Sequence, residues 1–198
     1  MGEGDLAGGK KNARRRGATI VFVDESGFSE RPSIRRTWAP RGQTPVLTHR
    51  FRSWKNLSVV GALAYRPRSP KRDRVFLMTH PGAIRSPEVV RFLQHLRRHI
   101  RGPVVLFWDG LNAHRSLYTR AYLEAESSWL QVHRLPAYAP ELNPVEGLWA
   151  WLKGTATVNL CPDTLAPVRR QLRLGRRRLG RRPDLLRAFV HKAGLSFD

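Results

Sequence analysis

From Pro103 to Trp108 the chain reads PVVLFW, with no polar side chain until Asp109 and then Gly110. A run of strand length that is apolar at every position, rather than at alternate ones, belongs to a strand covered on both faces. The fold therefore needs a sheet with a layer on each side, and the surrounding pattern says which kind. Upstream, TIVFVDESG (19–27), NLSVVGALAY (56–65) and DRVFLMTH (73–80) are strand-like runs near enough in sequence to pair as an antiparallel meander. From Ser86 the period changes. Val89, Val90, Leu93, Leu96 and Ile100 recur at helical spacing, with Ser86 as N-cap, Pro87 at the first position and Gly102 as the stop. After the apolar run come a helix over 117–125, a short strand in LQVHRLP (130–136) and a further helix. That last helix opens from the turn AYAPELNP (137–144) and carries Val145, Leu148, Trp149 and Leu152 as its stripe. Three strands, helix, strand, helix, strand, helix is not the order of a purely parallel doubly wound fold. It predicts an α/β mixed sheet, antiparallel over its first three strands and parallel after them, with flanking helices. The Pro- and Gly-bearing stretch RTWAPRGQTPVLTHR (36–50) predicts short strands around a turn.

Charge narrows the class of partner. The 198 residues hold 36 Lys and Arg against 15 Asp and Glu, a net +21. Such an excess repels itself in a compact state, so a polyanion is the economical partner and nucleic acid the first candidate. No apolar run approaches the roughly 20 residues that span a bilayer. Cys161 is the one cysteine, so neither an intrachain disulfide nor a thiolate metal cage can form, which suits a reducing cytosol. The basic N-terminus has no apolar stretch before Ile20 and is not a secretory signal.

Three acidic residues stand where chemistry could be done. Asp24 ends the first strand and Asp109 the apolar one, each close to a glycine (Gly27, Gly110). Were these strands neighbours, both side chains would emerge at one edge. Glu146, in the first turn of its helix, could complete the cluster. Three carboxylates that close repel unless cations lie among them, and hard oxygen ligands favour Mg²⁺ or Mn²⁺ over Zn²⁺. Two such ions about 4 Å apart can clamp both oxygens of an in-line phosphodiester displacement. Plainer readings stand beside this one. Strand-end aspartates commonly serve turns. Asn143-Pro144-Val145-Glu146 also fits a capping box, with Asn143 as N-cap and Glu146 at the third helical position. Residue pattern alone leaves both open. Glu25 points away from Asp24 by strand alternation and reads as structural. Trp38, Trp108, Trp149 and Trp151 read as core.

Four strings supply a resemblance: FVDESGF (22–28), WAPRGQTP (38–45), WDGLNAH (108–114) and LPAYAPELNPVEGLWAWLK (135–153). In this order they resemble the sequence blocks of the insertion sequence 630 family of bacterial transposases, part of the mariner-like superfamily of DDE transposases. The resemblance implies a ribonuclease-H-like fold with Asp24, Asp109 and Glu146 as the catalytic, metal-binding trio. Glu146 follows Asp109 by 37 positions (146 − 109), close to the spacing such enzymes use. It implies two Mg²⁺ (or Mn²⁺) ions, strand cleavage at transposon ends and direct attack by the freed 3′-hydroxyl on target DNA. It also implies action as a homodimer or larger assembly on DNA, in a bacterial cytoplasm at the nucleoid. His114 resembles the histidine of the family's second motif, which could reach DNA phosphate or the metal shell, with a capping or packing role as the alternative. Asn143 has a double part, capping the helix and orienting the site.

One departure is the segment before Thr19, which is short for the helix-turn-helix region by which such transposases recognise their ends. The expectation is either a separately encoded N-terminal region joined by frameshifting, or a truncated remnant. Two other functions therefore stay open: a catalytically inactive DNA-binding remnant, and a general ribonuclease-H-like nuclease. The chain divides into a basic lead-in (1–17), the catalytic domain (18–160) and an Arg-rich helical C-terminal extension (161–198). In the extension Arg169, Arg170, Arg173, Arg176, Arg177, Arg178, Arg181 and Arg182 are expected to form a face toward DNA phosphates.

Overall fold

The computed structural model describes residues 17–31, 33–48, 55–67, 69–136 and 139–196, so the lead-in lies outside it except for Gly17. Strands β1 (Thr19–Ser29), β2 (Asn56–Tyr65), β3 (Arg74–Pro81), β4 (Val104–Trp108) and β5 (Leu130–Arg134) form one sheet in the order β3-β2-β1-β4-β5. β1 pairs antiparallel with β2, and β2 with β3, whereas β1–β4 and β4–β5 are parallel. This is the mixed sheet that the strand order predicts, with the all-apolar β4 near its centre and buried at every position. The helices are α1 (Ser86–His99), α2 (Asn112–Arg115), α3 (Leu117–Ala125), α4 (Val145–Trp151), α5 (Leu165–Leu179) and α6 (Pro183–Lys192).

Strand alternation divides the core into two layers. Ile20, Phe22, Val105 and Phe107 face α4, α5 and α6, meeting Leu148, Leu172 and Leu186. Val21, Val23, Leu106 and Trp108 face the other way, toward Phe92, Leu93 and Leu96 of α1. A period of two across a sheet covered on both sides explains why β1 and β4 look uniformly apolar. The α1 helix stops before Gly102, whose φ of 83° suits glycine. The C-terminal helices belong to the first layer and are tied to the sheet by polar bonds as well. Tyr65 donates its hydroxyl to the Leu186 carbonyl (2.9 Å), and Arg187 Nε donates to Asp73 Oδ2 (2.9 Å). Asp73's side chain is fully buried, so losing its partner would cost about 3–5 kcal/mol.

Two features depart from the sequence pattern. β1 does not end at Asp24: it continues to Ser29 along β2, while its pairing with β4 stops at Phe22. Asp24 thus sits where one neighbour has given out and the other has not. The stretch 34–48 forms no strands. Pro40 and Pro45 have no N–H to give a ladder, and the β-type pairing nearby is one isolated bridge, Ser33 to Val158. It is an extended arm, anchored at its base by Asn159, which bonds Arg35 N (2.9 Å) and Arg35 O (3.0 Å). Trp38 on this arm is fully exposed, contrary to its reading as core; Trp108 and Trp149 are buried as read.

Candidate active site

Past Phe22 the β1–β4 pairing ends, and the two chains leave a cleft at that edge of the sheet. Asp24, Asp109 and Glu146 all line it, with Asn143, Arg115 and Arg134, around a volume of about 720 Å³. Asp24 comes from mid-β1, Asp109 from the residue after β4, and Glu146 from the first turn of α4.

Asp24 lies on the α4 side of the sheet. Opposite it on β2 is Gly61, where an added Cβ would come within 2.5 Å of the Trp149 indole. The missing side chain lets that ring pack close against the strand, and its Nε1 donates to Asp24 Oδ2 at 2.8 Å. Burial pushes the Asp24 carboxyl up to about 7; the indole bond opposes this, and the charges of Glu25 and Glu146 add to it. A carboxyl so placed favours a proton or a metal cation over bare ionisation.

Asp109 is set the other way. Its Oδ1 accepts from Leu111 N (3.1 Å) and lies 3.0 Å from His114 Nδ1. His114 is buried, stacked on Trp108 with centroids 4.1 Å apart, and its Nε2 reaches Glu25 Oε1 at 3.1 Å. With an acceptor at each ring nitrogen, only the imidazolium donates to both. Burial disfavours its charge, but the bonds to Asp109 and Glu25 prevail and hold it up at about 9. Asp109 in turn lies below the usual carboxylate range: burial works against its charge, and the His114 and Leu111 hydrogen bonds outweigh that.

Glu25 takes a part that strand alternation does not exclude. It points to the opposite face from Asp24, as alternation requires, and there α2 brings His114 to meet it. Among the described residues, donor atoms of Glu25, Asp109 and His114 lie within 4.8 Å of one another. Glu25 Oε2 is buried without a partner there, an atom that a cation or water would satisfy. The donors of the cleft, carboxylate oxygens in a partly desolvated place, fit a hard divalent cation.

Asn143 links the parts. Its Oδ1 accepts from Val145 N (3.2 Å) at the start of α4, and its Nδ2 donates to Val23 O (3.5 Å) beside Asp24. The capping box suggested for Glu146 does not form, because Asn143 N donates to Pro140 O (2.9 Å) instead. Arg169, Arg170, Arg173, Arg176, Arg177, Arg178, Arg181 and Arg182 are all exposed along α5 and the turn after it. Arg182 is paired with Asp184 (2.8 Å), while Arg187, in the same run, is spent on Asp73. Neither the Trp149 donor nor the His114–Glu25 bond is visible in the sequence, although the acid beside Asp24 and a histidine five positions after Asp109 were signals.

The fold has known counterparts. A structure titled Mos1 transposase paired-end complex with left transposon end matches with a TM-score of 0.59 at 18% identity, covering 98% of this chain and 62% of that one. The Mos1 mariner paired-end complex with Mn matches at 0.58 and 19%, over 98% and 62%. The catalytic domain of Mos1 mariner transposase matches at 0.53 and 15%, over 98% and 93%. The chain thus spans less than two thirds of the chains in the Mos1 paired-end complexes and nearly all of the catalytic domain. At these identities the likeness establishes the fold, which is ribonuclease-H-like. A search of curated proteins finds no match. The family model described as DDE superfamily endonuclease matches residues 19–163, from the first residue of β1 to just short of α5. The chain belongs to the DDE superfamily endonucleases.

Proposed function

We propose that this chain is the catalytic domain of a transposase of the insertion sequence 630 family, cutting DNA at transposon ends and joining the freed 3′-hydroxyl to target DNA. The observation that carries this reading is that Asp24, Asp109 and Glu146 line one cleft, with Asp24 held near 7 by burial and neighbouring carboxylates. Asp24, Asp109 and Glu146 are assigned to two Mg²⁺ or Mn²⁺ ions, with Glu25 and His114 supporting Asp109. When bound, such ions neutralise charge developing on the phosphate and lower the cost of deprotonating the attacking hydroxyl or water. The residues do the positioning. His114 directs Asp109 by holding Oδ1, Trp149 fixes Asp24 through Oδ2, and Asn143 sets the start of α4 that carries Glu146. Arg115 and Arg134 border the cleft, where phosphates would need counter-charge. The exposed α5 arginines are assigned to the DNA backbone, contacts that position without reading sequence.

The remaining parts of the reading follow from the family resemblance. The C-terminal helices form an extension from residue 161 to a catalytic domain of 18–160, and a separately encoded N-terminal helix-turn-helix region recognises the element's ends. The working form is a dimer on paired ends, with the arm bearing Trp38, Ile34 and Val46 as the apolar surface a second copy would cover. The setting is a bacterial cytoplasm; no helix among the described residues is long and apolar enough to cross a membrane. The test is Mg²⁺-dependent cleavage of duplex DNA carrying the element's inverted repeats. Asp109→Asn is expected to abolish it while leaving binding nearly intact. Undiminished cleavage by that variant would remove the mechanism.

A further inference from the structure

At the end of the sheet away from the acidic cleft lies a second cavity, of about 790 Å³, lined by Arg66, Arg72, Arg74, Arg98, His99 and Arg101. Thr19 and Ala64 form part of its floor. Asp24 is five residues further along β1, about 17 Å away by strand rise. The arginines come from three places: the loop after β2, the start of β3 and the end of α1. No acidic residue lines the cavity. The nearest carboxylate by sequence, Asp73, is buried and already taken by Arg187 and by the backbone N of Arg66.

Capping of α1 accounts for part of this. Arg66 Nη2 donates to Arg101 O (3.2 Å) and Arg74 Nη1 to His99 O (3.1 Å), satisfying carbonyls at the helix end. Each bond uses one of five guanidinium N–H groups. The side chains of Arg72, Arg98 and Arg101 have no hydrogen bond or ion pair among the described residues, and all three are exposed. Five like charges around one cavity repel each other, and helix capping needs only two of them. The positive field also extends beyond the cavity. Burial, His99, Arg98 and Arg176 of α5 together depress the His95 imidazole. The basic surface thus runs from the cavity across α1 toward the α5 arginines.

We propose that this cavity binds the phosphodiester backbone of a duplex DNA segment separate from the strand held in the acidic cleft. The inference rests on the reading of the protein as acting on DNA and adds a further place on it, beyond the cleft and the α5 arginines, where DNA lies. The arginines are spread along an open surface, which suits successive phosphates of a duplex better than one enclosed small anion. Arg66 and Arg74, held to the α1 carbonyls, would be preorganised, with Arg72, Arg98 and Arg101 closing on the backbone.

The test compares the full chain with an Arg72→Ala/Arg98→Ala/Arg101→Ala variant, which leaves the two capping arginines in place. Binding of a 40-bp duplex without inverted repeats is followed by fluorescence anisotropy in EDTA across a salt series. The variant is expected to lose at least tenfold in affinity, and its log K against log salt slope to fall by about 2 to 3. Circular dichroism and an unchanged Tm check that it is folded. A slope and affinity equal to wild type would overturn the proposal. So would a thermal shift with inorganic phosphate, at matched ionic strength, that the wild type shows and the variant lacks while duplex binding is equal; the cavity would then be a small-anion site. Failure of the wild type to bind duplex at all would overturn this proposal and the DNA reading together. Cleavage lost in Asp109→Asn with the salt slope intact bears on the active site alone.

Discussion

Asp24 and Asp109 stand on neighbouring strands at one edge of the sheet, yet their surroundings push them in opposite directions. Asp24 is covered by α4 and lies near the charges of Glu25 and Glu146, and burial outweighs the hydrogen bonds from the Trp149 indole and the Glu25 backbone, so its carboxyl rises to about 7. Asp109 is more open and rests against a buried imidazolium, so its carboxyl falls below the usual range. One carboxylate carries its counter-charge within the protein; the other lacks one and takes up a proton in its place. The difference is how the fold can place three acids around one cleft. It neutralises one side of the cleft with His114 and leaves the other side to be completed from solution.

The largest effect expected from this asymmetry is a stabilisation by metal that depends on pH. Asp24 is raised from 3.8 to about 7 and His114 from 6.5 to about 9, so both bind protons more tightly when folded. Asp24's contribution is complete below pH 3.8 and lost as pH rises through 7; that of His114 is complete below 6.5 and lost through 9. Asp109, lowered, contributes above 3.8 and loses it only on acidification. Metal-free protein should therefore lose Tm steadily from pH 5 to 9. Mg²⁺ or Mn²⁺ at about 100 times its dissociation constant adds about 2.7 kcal/mol, or about 5–10 °C for a chain of this length. The rise should be larger at pH 8 than at pH 5, where protons compete for Asp24. Equal shifts at both pH values in calorimetry would break the link between Asp24 and the cation.

How much of this asymmetry could be read in advance depends on the range of the contacts. Asp24 and Asp109 were legible because each follows an apolar run whose length and burial set a strand. Glu146 was ambiguous, since Asn-Pro-x-Glu serves a capping box as well as a metal site; the Asn143–Pro140 bond removes the capping box and leaves the carboxylate lining the cleft. The meeting of His114 with Glu25 was not legible. It joins residues 89 positions apart and depends on the short α2 turning the ring beneath the sheet. Strand alternation put Glu25 on the far face correctly, but could not say what waits there. Trp149 was read as core from its stripe, and it is core. Its N–H matters because Gly61, on a different strand, leaves room for the ring. The two basic surfaces differ in the same way. The α5 arginines form a run in sequence, whereas those of the second cavity are scattered from 66 to 101 and gather only through β2, β3 and α1. Trp38 was misread because aromatic residues are usually buried and nothing local marks an arm without a strand partner.

A smaller effect is expected where the internal counter-charge is removed. His114→Gln keeps a neutral donor near Asp109 but loses the cation; Asp109 stays ionised above pH 5 either way, so the expected weakening of metal binding comes from a carboxylate no longer held in place by the buried ring. Groups that support a metal ligand in this way typically contribute about 10- to 100-fold to affinity or activity. The measurements are cleavage rate and Mn²⁺ affinity by calorimetry across pH 5–8. Reduced activity with unchanged metal affinity would mean that His114 acts only through packing on Trp108.

The smallest effect tests the other half of the pair. Trp149→Phe keeps an aromatic ring against Gly61 and removes the N–H that bonds Asp24. Some stability is lost at every pH, because the smaller ring leaves space in a tightly packed layer. The hydrogen bond adds a part that depends on protonation. A bond to an ionised carboxylate contributes about 1.5–3 kcal/mol, against about 1 kcal/mol to a neutral one. The variant should therefore lose about 1 kcal/mol more at pH 8 than at pH 5, or about 2–4 °C of extra Tm loss. The same deletion removes an influence that lowers the Asp24 carboxyl, moving its titration further above 7. Metal should then restore less of the lost stability at neutral pH than it does in the wild type. A loss in Tm equal at pH 5 and pH 8 would reduce Trp149 to its packing and leave burial and the charges of Glu25 and Glu146 to set the state of Asp24.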